Sequence, residues 1–154
     1  MPARILLADD HEVVRQGIRA ILQARPDWEI CGEAVDGREA IRLAQELRPD
    51  VIVMDITMPR MSGLEASQEI ARLQLPSRVL IFTMHESKSL APSVRKAGAQ
   101  GYVVKSRAAR DLVEALERLL AGGTFFDNAS PSGAKEDDKP DRNILLRQAL
   151  SFAW

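Results

Sequence analysis

Five times along this chain a short apolar run gives way to a segment whose apolar residues recur at helical spacing, and that alternation leaves few folds open. Arg4-Ile-Leu-Leu-Ala8 runs into Asp9-Asp10, and Trp28–Ala34 reads as a second run. Val51-Ile-Val-Met54 runs into Asp55, Val79-Leu-Ile-Phe82 into Thr83, and Gly101–Val104 into Lys105. Apolar runs without alternation predict strands covered on both faces. Val13, Val14, Ile18, Ile21 and Leu22 mark a helix over residues 12–24, ended by Pro26. Ala40, Ile41, Leu43, Ala44 and Leu47 mark a second, with Asp36 as N-cap and Pro49 as stop. A third opens at Ser62-Gly63 and runs to about Leu73, and a fourth stops at Gly98. A fifth covers residues 108–121 and is closed by Gly122-Gly123. Strands alternating with helices of this length predict right-handed crossovers, hence an α/β fold with a parallel sheet between two helix layers.

Composition narrows the function classes. The 154 residues carry 21 Lys+Arg against 22 Asp+Glu, a net charge of −1, which excludes a nucleic-acid binder held by bulk positive charge. The single cysteine, Cys31, excludes an intrachain disulfide and reads as packing within or beside the second strand. No apolar run approaches the roughly 20 residues that span a bilayer, and the N-terminus lacks signal-peptide character. The expectation is a cytoplasmic protein with no membrane partner.

Four predicted strand ends carry polar residues: Asp9-Asp10, Asp55, Thr83 and Lys105. The carboxyl ends of strands in an open parallel sheet face one crevice, so residues far apart in sequence can meet there. Three carboxylates packed together repel and become tolerable around a hard divalent cation, for which Mg²⁺ suits an oxygen-only site. Such a set matches phosphoryl transfer onto a carboxylate, which needs positioning, charge neutralisation and an in-line oxygen nucleophile. Asp55 is then the nucleophile. Asp10 holds Mg²⁺ with Asp9 assisting through water, Lys105 neutralises one phosphoryl oxygen, and Thr83 hydrogen-bonds another. Singly, each residue has a plainer reading. Asp9-Asp10 could cap a helix, Lys105 could be a solvated strand end, and Tyr102 a half-buried strand aromatic. His11 reads as a first-turn helix residue and His85 as a loop residue, neither of them a ligand or base. Met54, Met58, Met61 and Met84 read as wall packing around the site.

Leu-Leu-Ala-Asp9-Asp10-His11, Met54-Asp55-Ile-Thr-Met-Pro59-Arg-Met-Ser-Gly63, Phe82-Thr83-Met-His and Gly98-Ala-Gln-Gly101-Tyr102-Val-Val-Lys105 together resemble the receiver domain of two-component response regulators. The Asp-Asp-His opening and the Lys-Ser after the fifth strand look most like the NarL/FixJ-type subfamily. The resemblance covers about residues 3 to 126. It implies a flavodoxin-like fold with strand order 2-1-3-4-5 and phosphorylation of Asp55 by a sensor histidine kinase. It implies Mg²⁺ bound by Asp10, Asp55 and the backbone carbonyl of Thr57, with Asp9 acting indirectly, and a switch pair of Thr83 and Tyr102. It also implies a signalling domain whose only catalysis is its own phosphorylation and dephosphorylation, with a homodimer and transcription control in prospect. A competing reading is a Mg²⁺-dependent aspartyl-phosphate phosphatase of haloacid-dehalogenase type. It wants a second Asp two residues after the nucleophile, where this chain has Thr57, and a cap insertion that is missing.

Two departures from the family pattern bear on expectations. Ser106 stands where many receivers carry proline after the strand-five lysine, so a cis bond is not assumed. The chain after Phe126 is also too short for the subfamily's helix-turn-helix output domain, so direct DNA binding is not expected of it. The division read from the sequence is a receiver at 1–126, a polar linker at 127–143, and an apolar segment at 144–154. That last segment reads as a short helix or an extended anchor, either docking on the surface of the fourth helix, fifth strand and fifth helix of its own receiver or a second copy, or having no role. In the fourth helix, Pro92 is tolerated only in the first turn, which predicts a start near residue 89 or 90 with Ser89 as N-cap.

Overall fold

Every apolar run noted above is a strand, and every periodic segment a helix, in the computed structural model, which describes residues 2–126. The order is β1 (Ala3–Ala8), α1 (Glu12–Leu22), β2 (Trp28–Ala34), α2 (Gly37–Leu47), β3 (Val51–Asp55), α3 (Gly63–Arg72), β4 (Arg78–Thr83), α4 (Leu90–Lys96), β5 (Gly101–Val104) and α5 (Ala108–Leu120). A 3₁₀ turn, Lys105–Arg107, joins β5 to α5. The strands pair in parallel in the order β2-β1-β3-β4-β5, which is the flavodoxin-like order. The chain winds out from β1 to β2, then returns past β1 to β3. The winding direction therefore reverses between β1 and β3, which opens a crevice at their carboxyl ends. The segments 127–143 and 144–154, and the expected docking of the latter, lie outside the described residues.

Side chains alternate along each strand between two apolar layers. Leu6 and Ala8 join Ala40, Ala44, Ala66, Ile70 and Val94, so α2, α3 and α4 cover one face. Ile5 and Leu7 join Ile18, Leu22, Leu112, Leu116 and Leu119, so α1 and α5 cover the other. The central strand β3 is buried along its whole length, Asp55 included. At the β1–β2 edge, Ile5 pairs with Ile30 and Leu6 with Gly32, which leaves Cys31 as the extra residue of a bulge on the outer strand. Its side chain packs, partly buried, on the layer under α2.

Local differences from the sequence reading have local causes. The first helix stops at Leu22, because the chain turns back through Arg25 N–H onto the Leu22 carbonyl before Pro26. The fourth helix begins at Leu90, with Pro92 in its first turn as expected. Ser89 stands at the N-cap but in helical dihedrals (φ −88°, ψ −4°), and its side chain makes no cap bond. Its hydroxyl lies 3.2 Å from that of Ser87 instead.

Three helices end in the same motif with different residues. After α5, Gly122 takes φ 91°, with its N–H on the Leu119 carbonyl and that of Gly123 on Arg118. After α4, Gly98 takes φ 83°, its N–H meets the Arg95 carbonyl, and the N–H of Ala99 meets that of Val94. After α3, Gln74 takes φ 56°, with its N–H on Ala71 and that of Leu75 on Ile70. A side chain in this left-handed region costs about 1–2 kcal/mol, part of which glycine returns as unfolded-state entropy. Gln74→Gly should therefore raise stability by roughly 0.5–1 kcal/mol. A lower urea midpoint would count against this account.

Asp111 is buried on the first turn of α5, and its Oδ2 has no hydrogen-bond partner. Burial pushes its carboxyl above the ordinary 3.8, while the charges of Arg110 and Arg107 pull it back. A raised folded-state value means that the folded protein binds this proton more tightly than the unfolded chain. Its contribution therefore favours folding below the unfolded value and is lost as pH rises through the folded one. Asp111→Asn should stabilise the protein near neutral pH, with a gain that fades below about pH 4. Urea denaturation at both pH values checks this, and a gain that grows on acidification would contradict it.

Candidate functional site

The sheet order makes the site. β1 and β3 are neighbours, with Ala8 opposite Met54, so Asp9 and Asp55 emerge side by side at the centre of the carboxyl edge. β4 flanks β3 on the other side, with Asp55 opposite Phe82, and Thr83 opposite Val104 brings Lys105 to the same edge. Lys105 is 4% exposed, so it is a buried cation rather than a solvated strand end. Its Nζ lies 2.9 Å from Asp9 Oδ2 and 3.4 Å from Asp55 Oδ1. Carboxylate oxygens of Asp9, Asp10 and Asp55 and a ring nitrogen of His11 all lie within 4.8 Å of one another. Asp9 and Asp55 are buried, and Asp10 is exposed.

Three carboxylates face a single ammonium here. Burial, and then the charge of Asp9, push the Asp55 carboxyl above its ordinary range; Lys105 pulls it down by charge and hydrogen bond, and Asp10 pushes it up. A hard divalent cation relieves this imbalance, and exposed Asp10 gives it a solvated approach. The oxygen donors present fit Mg²⁺.

The remaining predicted residues take separate places. Thr83 is buried at the end of β4, its hydroxyl 3.4 Å from the His85 N–H and 3.5 Å from the His85 carbonyl. Thr57 is exposed in the loop two residues beyond Asp55. Tyr102 is buried within β5, in the apolar layer shared with Leu90, Val94 and Phe126. Met54 and Met58 are buried in that layer and Met61 packs on it, but Met84 is 63% exposed and walls nothing.

Sequence reasoning missed three supports of the site. Arg15, on α1, donates from Nη1 to the Asp9 carbonyl at 2.6 Å and from Nε to Glu33 at 2.6 Å, bracing β1 against β2. Buried Arg107 donates to Glu86 at 3.0 Å, tying the β4–α4 loop to the start of α5. His11 sits at the N-cap of α1, ahead of the first turn, with its ring against Asp9 and Asp10. Only its position directly after the Asp pair hinted at that contact. The bond between Lys105 and Ser106 is trans, since no peptide bond among the described residues is cis.

The family model of the response regulator receiver domain matches residues 5–117. The chain belongs to that family. Receivers are the phospho-accepting domains of two-component response regulators. This receiver is 42% identical over 119 residues to the transcriptional regulatory protein LiaR of Bacillus subtilis, covering 77% of this chain and 56% of that protein. It is 37% identical over 128 residues to the nitrate/nitrite response regulator protein NarL of Escherichia coli, covering 83% of this chain and 59% of that one. It also resembles the crystal structure of a LuxR-family two-component response regulator from Aurantimonas, at 43% identity and a TM-score of 0.78, covering 83% and 91% of the two chains. The receiver thus spans little more than half the length of these curated relatives. The phosphatase reading finds no support in these comparisons. Among the described residues, no helix is long and apolar enough to cross a membrane.

Proposed function

We propose that Asp55 is the phosphoryl acceptor of this receiver and that Lys105 and Thr83 assist the transfer. The observation carrying this reading is the buried Lys105 ammonium, set between Asp9 and Asp55 at the edge of the sheet and beside exposed Asp10. An Asp55 oxygen attacks phosphorus in line. The bond from phosphorus to the donor's nitrogen or oxygen breaks, and its electron pair leaves with the donor. Lys105 Nζ meets the charge on one phosphoryl oxygen. The Thr83 hydroxyl, held only by long contacts to His85, turns to another. Asp10, Asp55 and the Thr57 carbonyl would hold Mg²⁺, with Asp9 acting indirectly; when bound, the ion would supply positive charge that offsets the phosphoryl oxygens.

Phosphorylation and hydrolysis are self-catalysed in this reading, so the domain signals rather than turning over a substrate. The Thr83 movement empties space that the Tyr102 ring uses, making these two the switch pair. A sensor histidine kinase is the donor, and a second copy of the chain is a partner in a homodimer. Transcription control is the output, in keeping with the regulatory names of the relatives. The cytoplasm, where such donors are made, is its place.

Incubation with a small phosphodonor and Mg²⁺ tests the assignment. One acid-stable, hydroxylamine-labile phosphoryl group should form and map to Asp55. A hydroxylamine-resistant label, or one on another residue, would overturn it.

A further inference from the structure

The chain has two histidines, His11 and His85, and the ring of His11 is the one placed among the carboxylates. The backbone orients it. His11 is extended at the N-cap of α1 (φ −103°, ψ 114°), and its side chain caps nothing. Its own N–H donates to Asp9 Oδ1 at 2.8 Å. The ring Nδ1 then lies 3.0 Å from Asp9 Oδ1 and 3.2 Å from Asp10 Oδ1. Adjacent ligands of an octahedral ion stand √2 bond lengths apart, which for bonds of about 2.1–2.2 Å is about 3.0–3.1 Å. Asp10 is the direct ligand of the two, and its contact lies within about 0.2 Å of that edge, whereas the Asp9 contact has the length of a hydrogen bond. The side chain is 64% exposed, so a nitrogen bound there displaces a solvent ligand without desolvating the rest of the ring.

We infer that His11 is a metal ligand of this site through Nδ1, and that it shifts the site's preference from Mg²⁺ toward later first-row transition ions such as Co²⁺ and Ni²⁺. This rests on the reading of Asp9, Asp10 and Asp55 as the cation site. Carboxylates and water suit Mg²⁺, whereas an imidazole nitrogen favours the later divalent metals. A neutral ring with its proton on Nε2 offers the Nδ1 lone pair to the ion; a ring with the proton on Nδ1 donates it to Asp9 instead. The two roles exclude each other, so the contact can be assigned.

The test uses the full chain without an affinity tag. Bound Mn²⁺ should show electron-spin-echo modulation from a directly coordinated ¹⁴N in the wild type and in His85→Gln, and none in His11→Ser. Calorimetric titration with Mg²⁺ and with Co²⁺ should show the preference for Co²⁺ falling about tenfold in His11→Ser. Bound Mn²⁺ without ¹⁴N modulation, or a preference unchanged within about twofold, would overturn the inference. Asp10→Asn separates the two levels of the argument. If it abolishes Mg²⁺ binding while His11→Ser leaves the preference unchanged, only the role of His11 falls. If it leaves Mg²⁺ affinity untouched, the cation site itself is misplaced and the inference falls with it.

Discussion

With Asp55 changed to Asn, the phosphoryl group taken up from a small donor should disappear, while the folded state persists. The amide nitrogen and oxygen keep the shape of the side chain, but neither is a competent nucleophile for phosphorus at neutral pH. The substitution also removes one of three clustered negative charges from a buried position, so the fold gives up repulsion rather than a contact it needs. Lys105→Ala provides the contrast. It leaves the nucleophile in place and removes the ammonium 2.9 Å from Asp9 and 3.4 Å from Asp55. Loss of one preorganised charge of this kind slows transfer by about 10²–10³-fold rather than abolishing it. Mass spectrometry of intact protein over a time course of phosphodonor exposure reads both. Uptake by Asp55→Asn at the wild-type rate would remove the assignment.

Gly63→Ala should be the most damaging single methyl group in the domain. A Cβ at this position meets the Asp55 carbonyl oxygen at 1.9 Å, the Asp55 carbonyl carbon at 2.8 Å and Met54 Cγ at 3.0 Å. Two of these are backbone atoms of the fully buried central strand, and the Gly63 N–H is itself bonded to the Ile56 carbonyl at 2.7 Å. Neither partner can swing away as the end of a flexible side chain could. The helix start must back off the sheet, at a cost of roughly 2–4 kcal/mol. Because α3 is seated against the peptide that carries the acceptor, phosphoryl uptake should fall as well. Urea denaturation measures the first effect, and a change under about 0.5 kcal/mol would show that the loop absorbs the methyl group freely.

The strand edges were legible in the sequence because each apolar run ends abruptly in a polar residue and parallel topology gathers such ends. Asp9, Asp55 and Lys105 could be placed together on that ground alone, and the Ser62 cap closes as a full capping box with Glu65. What stayed hidden depends on contacts between distant segments or on direction rather than position. Nothing in the pattern around Lys105 announces its burial, which comes from the packing of β5 against β4 and α5. Arg15 and Arg107 look like ordinary surface arginines on amphipathic segments, yet one braces the Asp9 carbonyl and the other spans to the β4–α4 loop. Ser89 had the right chemistry for a cap at the right place and does not make one, because its backbone is already helical. The ring of Tyr102 points into the layer shared with α4 because residue parity along β5 selects a face, which a four-residue strand states only weakly.

Where the described chain ends, it is gripped rather than released. Phe125 bridges Gly101, its carbonyl accepts the Tyr102 N–H at 2.9 Å, and Gly101 leaves no room for a Cβ beside it. Phe126 lies in the same apolar layer as Tyr102, with the guanidinium of Arg95 from α4 stacked 3.8 Å above its ring. Phe125 lies in the opposite layer, with the guanidinium of Arg118 from α5 5.4 Å from its ring centre, so the two phenylalanines tie β5 to both helix layers and a reseating of Tyr102 or Arg95 would be felt at Phe126.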